Sequence, residues 1–337
     1  MKLLILFVAL AAFAMAQERV ILDSDCAIFN DDAAAMVMLL QRPEQVDLLA
    51  VTLVPGNMWP LAGAEYMGRA LDAVKRPGVP MYVGARLPLM HSLVMSQKEK
   101  EEWGEGYMGA FDQDQPAPKK ASKRVSHRDA IEFMTEVIEK TPGEVTVLAI
   151  GPMTNLAILL RLHPDLETKI RRLIFMGGAV HTNAMAEDHR AAEFNFWFDP
   201  EAAQIVMRSA IKEKIMIGLD LCEHAKIDKA HFDQIVAAKT PVTELYRQDM
   251  GKRFAKDPDA QVGIWDCLAA AYLLDSRWVT RRESAYLDVS TAFDKNYGAV
   301  TPLDRKMAPD ATPVDVLLDL DFEKFFALYK ELLTKVP

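Results

Sequence analysis

Short runs rich in Val, Ile and Leu alternate along this chain with stretches of helical periodicity. Residues 19–22 read as a first strand, 32–41 as a helix, 46–54 as a strand, 61–75 as a helix and 80–83 as a short strand. The pattern resumes with a helix at 130–139, a strand at 145–150, a helix at 155–163 and a strand at 173–176. Beyond these lie a helix at 200–209, a strand at 214–219 and a buried helix at 266–274. Parallel strands need a crossover of about a dozen residues between them, usually a helix. The alternation therefore predicts an α/β fold, a largely parallel central sheet flanked by helices. In such sheets ligands sit beyond the carboxyl ends of the strands. Residues 279–312 read as polar and irregular, ahead of a final helix at 321–333. Residues 112–128, rich in Gln, Pro, Lys and Ser, read as an exposed loop with the composition of a mobile flap. No internal repeat and no domain boundary interrupts the pattern.

The first sixteen residues have another character. One Lys is followed by an apolar run and then by Ala14-Met15-Ala16, a small-residue cleavage pattern. Residues 1–16 are expected to be a signal peptide and 17–337 a single domain, which implies a secreted or periplasmic protein. No later run is long and apolar enough to span a bilayer, so no membrane association is expected after cleavage. The formal net charge is −9. Nucleic-acid polymers are disfavoured as partners, because phosphate contacts need clustered Lys and Arg. Three cysteines, Cys26, Cys222 and Cys267, are too few for a disulfide framework. Their odd number leaves at least one thiol free, and a bridge between Cys26 and Cys267 stays open at this point.

The strongest chemical signal follows the first strand. Asp23, Asp25, Asp31 and Asp32 put four carboxylates within ten residues, at a strand end and a helix start. Helix capping accounts for one or two of them. It does not account for Asp23 and Asp25 at the strand tip, where the negative charges repel one another. A hard cation relieves that repulsion, and oxygen-only ligands favour calcium or magnesium.

An Asp-x-Asp pair ending the first strand, with Asp31-Asp32 six residues after its second member, resembles the inosine-uridine-preferring nucleoside hydrolase family in its longer-loop variant. The resemblance runs through Val54-Pro55-Gly56-Asn57, Val79 to Ala85 and Leu148 to Ala157. It continues through Phe175 to Val180, Ala192-Glu193-Phe194-Asn195 and Asp199 to Ala203, and closes at Trp265 to Ala271. It implies a Rossmann-like nucleoside-hydrolase fold and calcium-dependent hydrolysis of the N-glycosidic bond of ribonucleosides. Calcium would be held by Asp25, Asp32, Asp266 and the backbone carbonyl of Ile150. Asp25 would be the general base, with Asp23 supporting it from behind. Asp31, Asn57, Glu193 and Asn195 would bind the ribose. Glu193 and Asn195 flank Phe194, so in extended chain they share one face. Asn183 is carried over to the ribose set across a loop of different length, and Met176 is expected to pack under the sugar. A homo-oligomer, dimer or tetramer, is also implied.

The chain departs from the family pattern at Ala27, Phe29, Cys26 and Cys267, and most consequentially at Trp265, where many members carry His. An indole is no general acid, but it stacks on a flat base, so Trp265 is expected to contact the nucleobase and to favour purines. Trp103 and Tyr107 are considered for the opposite face, with ordinary packing as the equal alternative. Two other functions fit parts of the pattern. A nucleoside- or sugar-binding protein of the same fold would keep the acids without turnover. A haloacid-dehalogenase-like phosphatase would use Asp23-Ser24-Asp25, but no convincing Ser/Thr and Lys pair for phosphate follows it.

Overall fold

The computed structural model describes residues 17–27, 31–104, 106–113, 124–182 and 190–336. The expected signal peptide, Phe29, Asn183 and residues 114–123 of the expected flap lie outside the described residues. In chain order, β1 (Glu18–Ser24), α1 (Asp31–Leu40), β2 (Val46–Leu53), α2 (Pro60–Ala73) and β3 (Met81–Val83) come first. α3 (Leu93–Trp103) and α4 (Ala130–Lys140) precede β4 (Val145–Ala149), α5 (Thr154–Leu162) and β5 (Arg172–Met176). Then come α6 (Phe194–Phe198), α7 (Pro200–Met207), β6 (Lys214–Ile217), α8 (Leu219–Cys222), β7 (Lys226–Ile227) and α9 (Lys229–Val236). α10 (Pro241–Lys256), β8 (Val262–Gly263) and α11 (Trp265–Leu274) follow. The last elements are β9 (Val279–Ala285), β10 (Leu287–Val289), β11 (Val300–Pro302), β12 (Val314–Leu320) and α12 (Phe322–Thr334).

Eight strands form one sheet in the order β3-β2-β1-β4-β5-β6-β12-β9. Every neighbouring pair is parallel except β12 with β9. The expected largely parallel sheet flanked by helices is therefore present. From β1 the chain steps outward through β2 and β3, then returns to the other side of β1 at β4. That reversal splays the connections apart and opens a crevice beyond the carboxyl ends of β1 and β4, where doubly wound sheets bind ligands.

A strand buried on both faces sends alternate side chains to two cores. In β1, Val20 and Leu22 join the core built with α1, α2, α11 and α12. Ile21 faces the other core, formed with α4, α5 and α7. α1 is buried from Asp32 to Leu39, as expected of a helix that is apolar all round. α11 is its counterpart, buried from Asp266 to Ala271, and the two helices pack together. Their N-terminal turns both open at the crevice.

Two expectations change. Residues 279–312 are not irregular: they hold β9, β10 and β11. β9 reads VTRRESA and its five central residues are exposed, so no hydrophobic alternation marks it, although β12 hydrogen-bonds it into the sheet. Residues 193–195 are not an extended run either: Glu193 alone keeps extended backbone, and Phe194 and Asn195 open α6. Glu193 is the N-cap of α6, because its carboxylate takes up helix-start N–H groups that no carbonyl satisfies. The cysteine question closes: Cys26, Cys222 and Cys267 are all free and buried.

The α1–α11 contact sets the first test. Ala270 is fully buried in the core that both helices line, so Ala270→Leu overpacks that core and should cost about 1–3 kcal/mol. Thermal denaturation should show Tm lowered by several degrees; an unchanged Tm would mean that this contact is loosely packed.

Candidate active site

The crevice is floored by carboxylates, each held differently. Asp23, at the end of β1, accepts hydrogen bonds on Oδ1 from Thr52 Oγ1 at 2.5 Å and Asn155 Nδ2 at 2.7 Å. Asn155 also takes the Ala85 N–H on its own Oδ1 at 2.8 Å, so it ties the ends of β1 and β3 to α5. Burial nevertheless pushes the Asp23 carboxyl up to about 6, against the pull of those two hydrogen bonds. Asp23 is thus fully buried and tied to β2 and α5.

Asp25 is gripped more tightly. Its Oδ2 accepts the Asn57 N–H at 2.6 Å. The backbones of Gly56 and Gly151 press on the carboxylate from two sides: a Cβ at Gly56 would lie 2.0 Å from Oδ2, and one at Gly151 2.8 Å from Oδ1. Only glycine permits such an approach. Oδ1 is buried with no hydrogen-bond partner among the described residues. Burial, then the charges of Asp31 and Glu193, push Asp25 up to about 7.

The remaining acids come from the two helix starts. Asp32 accepts Ser24 Oγ on Oδ1 at 2.6 Å, while its Oδ2 is buried and unpartnered among the described residues. Asp31 Oδ2 accepts the N–H groups of Trp265 at 3.1 Å and Asp266 at 3.4 Å. It is indeed a helix cap, but of α11 rather than of its own helix. Ligand atoms of Asp31, Asp32 and Asp266 lie within 4.8 Å of one another. Burial first, then mutual repulsion, raises Asp32 and Asp266 well above the ordinary carboxylate range.

This donor set suits a hard divalent cation. Oxygen atoms converge, their charges repel, and among the described residues Asp25 Oδ1 and Asp32 Oδ2 are buried with nothing to bond. Asp31 belongs to the cluster by distance, but its Oδ2 is committed to α11. Asp32 and Asp266 qualify by the cluster's spacing, and Asp25 and Asp32 by an orphaned buried oxygen each.

The opposite wall comes from the segment after β5. Asn195 Nδ2 donates to the carbonyls of Met176 at 3.1 Å and Ile150 at 3.3 Å, which brings the Ile150 carbonyl to the crevice. Asn195 Oδ1 is buried and unpartnered among the described residues. Glu193 accepts the N–H groups of Asn195 at 2.9 Å, Gly178 at 2.8 Å and Phe196 at 3.2 Å. Burial still pushes it up to about 7. Much of its accepting capacity is spent on the backbone. Met176 is buried beside Asn195. Trp265 is half-buried, its indole lies against Gly263, and its Nε1 is buried without a partner among the described residues. Trp103 packs on Phe293. Asn183 lies outside the described residues.

Known proteins match this architecture. The family model described as inosine-uridine preferring nucleoside hydrolase matches residues 20–327. The chain belongs to the inosine-uridine preferring nucleoside hydrolase family. It is 33% identical over 320 residues to the pyrimidine-specific ribonucleoside hydrolase RihA of Salmonella arizonae, covering 91% of this chain and 96% of that protein. The plant nucleoside hydrolase PpNRh1 superposes with a TM-score of 0.75 at 23% identity, over 94% of this chain and 99% of that one. The purine-preferring ribonucleoside hydrolase from Gardnerella vaginalis gives 0.74 at 21%, over 94% and 98%. These two structures share the fold.

Some residues of this family member have roles that sequence pattern does not reveal. Asn155 stands in the sequence only as part of a motif. Tyr107, half-exposed, donates through its hydroxyl to Asn57 Oδ1 at 3.1 Å. Burial and the nearby charges of Asp25 and Asp32 push its phenol up to about 12. Arg190 stacks on Trp197 3.8 Å from the ring centroid. Neither contact shows in sequence spacing: Tyr107 and Asn57 are fifty residues apart, and Arg190 reaches Trp197 from outside α6.

Asp23, Asp25 and Glu193 all bind protons more tightly folded than unfolded. Their favourable contribution is complete below about pH 4 and is lost as pH rises through about 6 to 7. Chelator-treated protein should therefore lose thermal stability between about pH 5 and pH 8. A divalent cation at a hundredfold excess over its Kd should return about 2.7 kcal/mol at the alkaline end, roughly 5 °C in Tm. A Tm that ignores both pH and cation would refute the cluster as a metal site.

Proposed function

We propose that this chain is a calcium-dependent hydrolase of ribonucleosides, splitting the N-glycosidic bond to give ribose and free base. One observation carries the reading: in a nucleoside hydrolase family member, Asp31, Asp32 and Asp266 cluster within 4.8 Å, and among the described residues Asp25 Oδ1 and Asp32 Oδ2 are buried without a hydrogen-bond partner. Asp25, Asp32, Asp266 and the Ile150 carbonyl would hold the calcium, which supplies Lewis-acid polarisation of a water and of the ribose hydroxyls.

The chain's own groups do the rest. Asp25 Oδ2 accepts the Asn57 N–H, and a carboxylate has lone pairs enough to meet a cation and still take a proton from the attacking water. A general base works best when its affinity for the proton matches the working pH, and burial pushes Asp25 in that direction. Glycoside cleavage passes through an oxocarbenium-like transition state. Fixed carboxylates around the ribose stabilise that developing positive charge without reorganising. Asn195 and Asn57 border the crevice from opposite walls and suit the sugar's hydroxyls, which both donate and accept.

Two readings of base preference each have an observation. Trp265 at the start of α11 offers an indole for stacking, which favours the larger face of a purine. The 33% identity to a relative named pyrimidine-specific favours uridine and cytidine. The kcat/KM values for inosine, adenosine, guanosine, uridine and cytidine separate them. Trp265→Ala should lose about five- to tenfold on purines alone if the indole stacks. Equal loss on all five nucleosides together with a lower Tm makes it a packing residue.

Asp25→Asn keeps the shape of the side chain and removes the proton acceptor. Turnover should fall by about 10²- to 10⁴-fold on every nucleoside, measured as kcat with saturating calcium. Near-normal turnover in that variant would move the base elsewhere.

A further inference from the structure

Residues 106–110 link the two walls of the crevice. On one side the Ala110 N–H donates to the Gly56 carbonyl at 2.7 Å, and the Tyr107 hydroxyl donates to Asn57 Oδ1 at 3.1 Å. On the other side the Tyr107 ring packs against Phe194, centroids 5.1 Å apart. The Tyr107 carbonyl also accepts from Arg190 Nη2 at 2.6 Å. The guanidinium is itself braced on the Trp197 ring. Gly109 makes the crossing possible: its φ is +56°, and a Cβ there would come 2.4 Å from the Gly56 carbonyl oxygen.

The link matters because of what Asn57 does. Its backbone N–H already holds Asp25, so its side chain projects beside the base. An amide side chain can present either its oxygen or its NH₂, and only its partners decide which. Here the phenol takes the oxygen and leaves the two Nδ2 hydrogens for an incoming group. That orientation holds while the phenol donates; a phenol that instead accepted from Nδ2 would turn the amide oxygen to the incoming group.

We propose that Tyr107 is a positioning residue for ribose recognition: its hydroxyl sets the Asn57 amide so that Nδ2 donates to a ribose hydroxyl, and Arg190 anchors Tyr107 in place. The proposal rests on the nucleoside hydrolase reading above. It assigns the effect to the sugar, so the identity of the base does not enter.

Tyr107→Phe keeps the ring on Phe194 and removes only the hydroxyl. Its kcat/KM should fall about tenfold on uridine and inosine alike, the scale of one neutral hydrogen bond, with Tm unchanged. Competitive inhibition constants for 2′-, 3′- and 5′-deoxyuridine then identify the hydroxyl. The analogue lacking the group that Asn57 holds should inhibit wild type and variant equally, while the other two bind the variant about tenfold more weakly. An unchanged kcat/KM, a loss confined to one base, or the same weakening for all three analogues overturns the proposal. If wild type turns over no nucleoside, the hydrolase reading fails. Calorimetric titration of uridine and the three deoxyuridines into both proteins still measures the Tyr107 contribution.

Discussion

Carboxylate crowding at the split between β1 and β4 is the constraint on which the rest of the structure depends. Asp23, Asp25, Asp31, Asp32, Glu193 and Asp266 share one buried region, and burial raises every one of them. Ionised carboxylates inside a protein are tolerated only when paired, hydrogen-bonded or bound to a cation. The fold supplies a separate device for nearly every acid. A β2 threonine and an α5 amide serve Asp23, a loop N–H serves Asp25, and the Ser24 hydroxyl serves Asp32. Helix-start N–H groups of α11 and α6 serve Asp31 and Glu193. These donors come from elements far apart in sequence, so the crevice forms only once the sheet and both helical layers are in place.

Much of the fold is legible in the sequence because its central strands and helices are buried. β1, β4 and β5 carry apolar residues toward both cores, and a continuous apolar run of strand length between two helices fits a parallel strand covered on both faces. β9 escapes for the opposite reason: an exposed edge strand owes its conformation to the hydrogen bonds of β12, not to its own side chains. α6 escapes because FNFWF is buried throughout and too short to show a helical stripe.

The site divides along a similar line. Asp25, Asp31 and Asp32 stand out in the sequence because, with Asp23, they crowd four negative charges into ten residues, more than helix capping accounts for; Asp266 enters through the family resemblance. Glu193 is legible as a residue of the crevice but not in its geometry, since spacing alone does not distinguish an extended pair from a cap and its helix. Asn155 and Tyr107 carry neither unusual charge nor unusual spacing. Their importance lies in what they touch, Asp23 in one case and Asn57 in the other, and that is created by folding.

The packing of α1 against α11 has a consequence for the spacing of two acids. Each helix has a run of three buried alanines, Ala33-Ala34-Ala35 and Ala269-Ala270-Ala271. Small side chains let helix axes approach toward the near end of the ~8–10 Å range. Asp32 and Asp266 ride on the first turns of these two rods, so the gap between their carboxylates depends on how closely the two helices pack. The pair behaves as a caliper whose jaws are acids and whose pivot is alanine. A larger side chain at a buried alanine that faces the partner helix would move the two acids apart while leaving both acids unchanged.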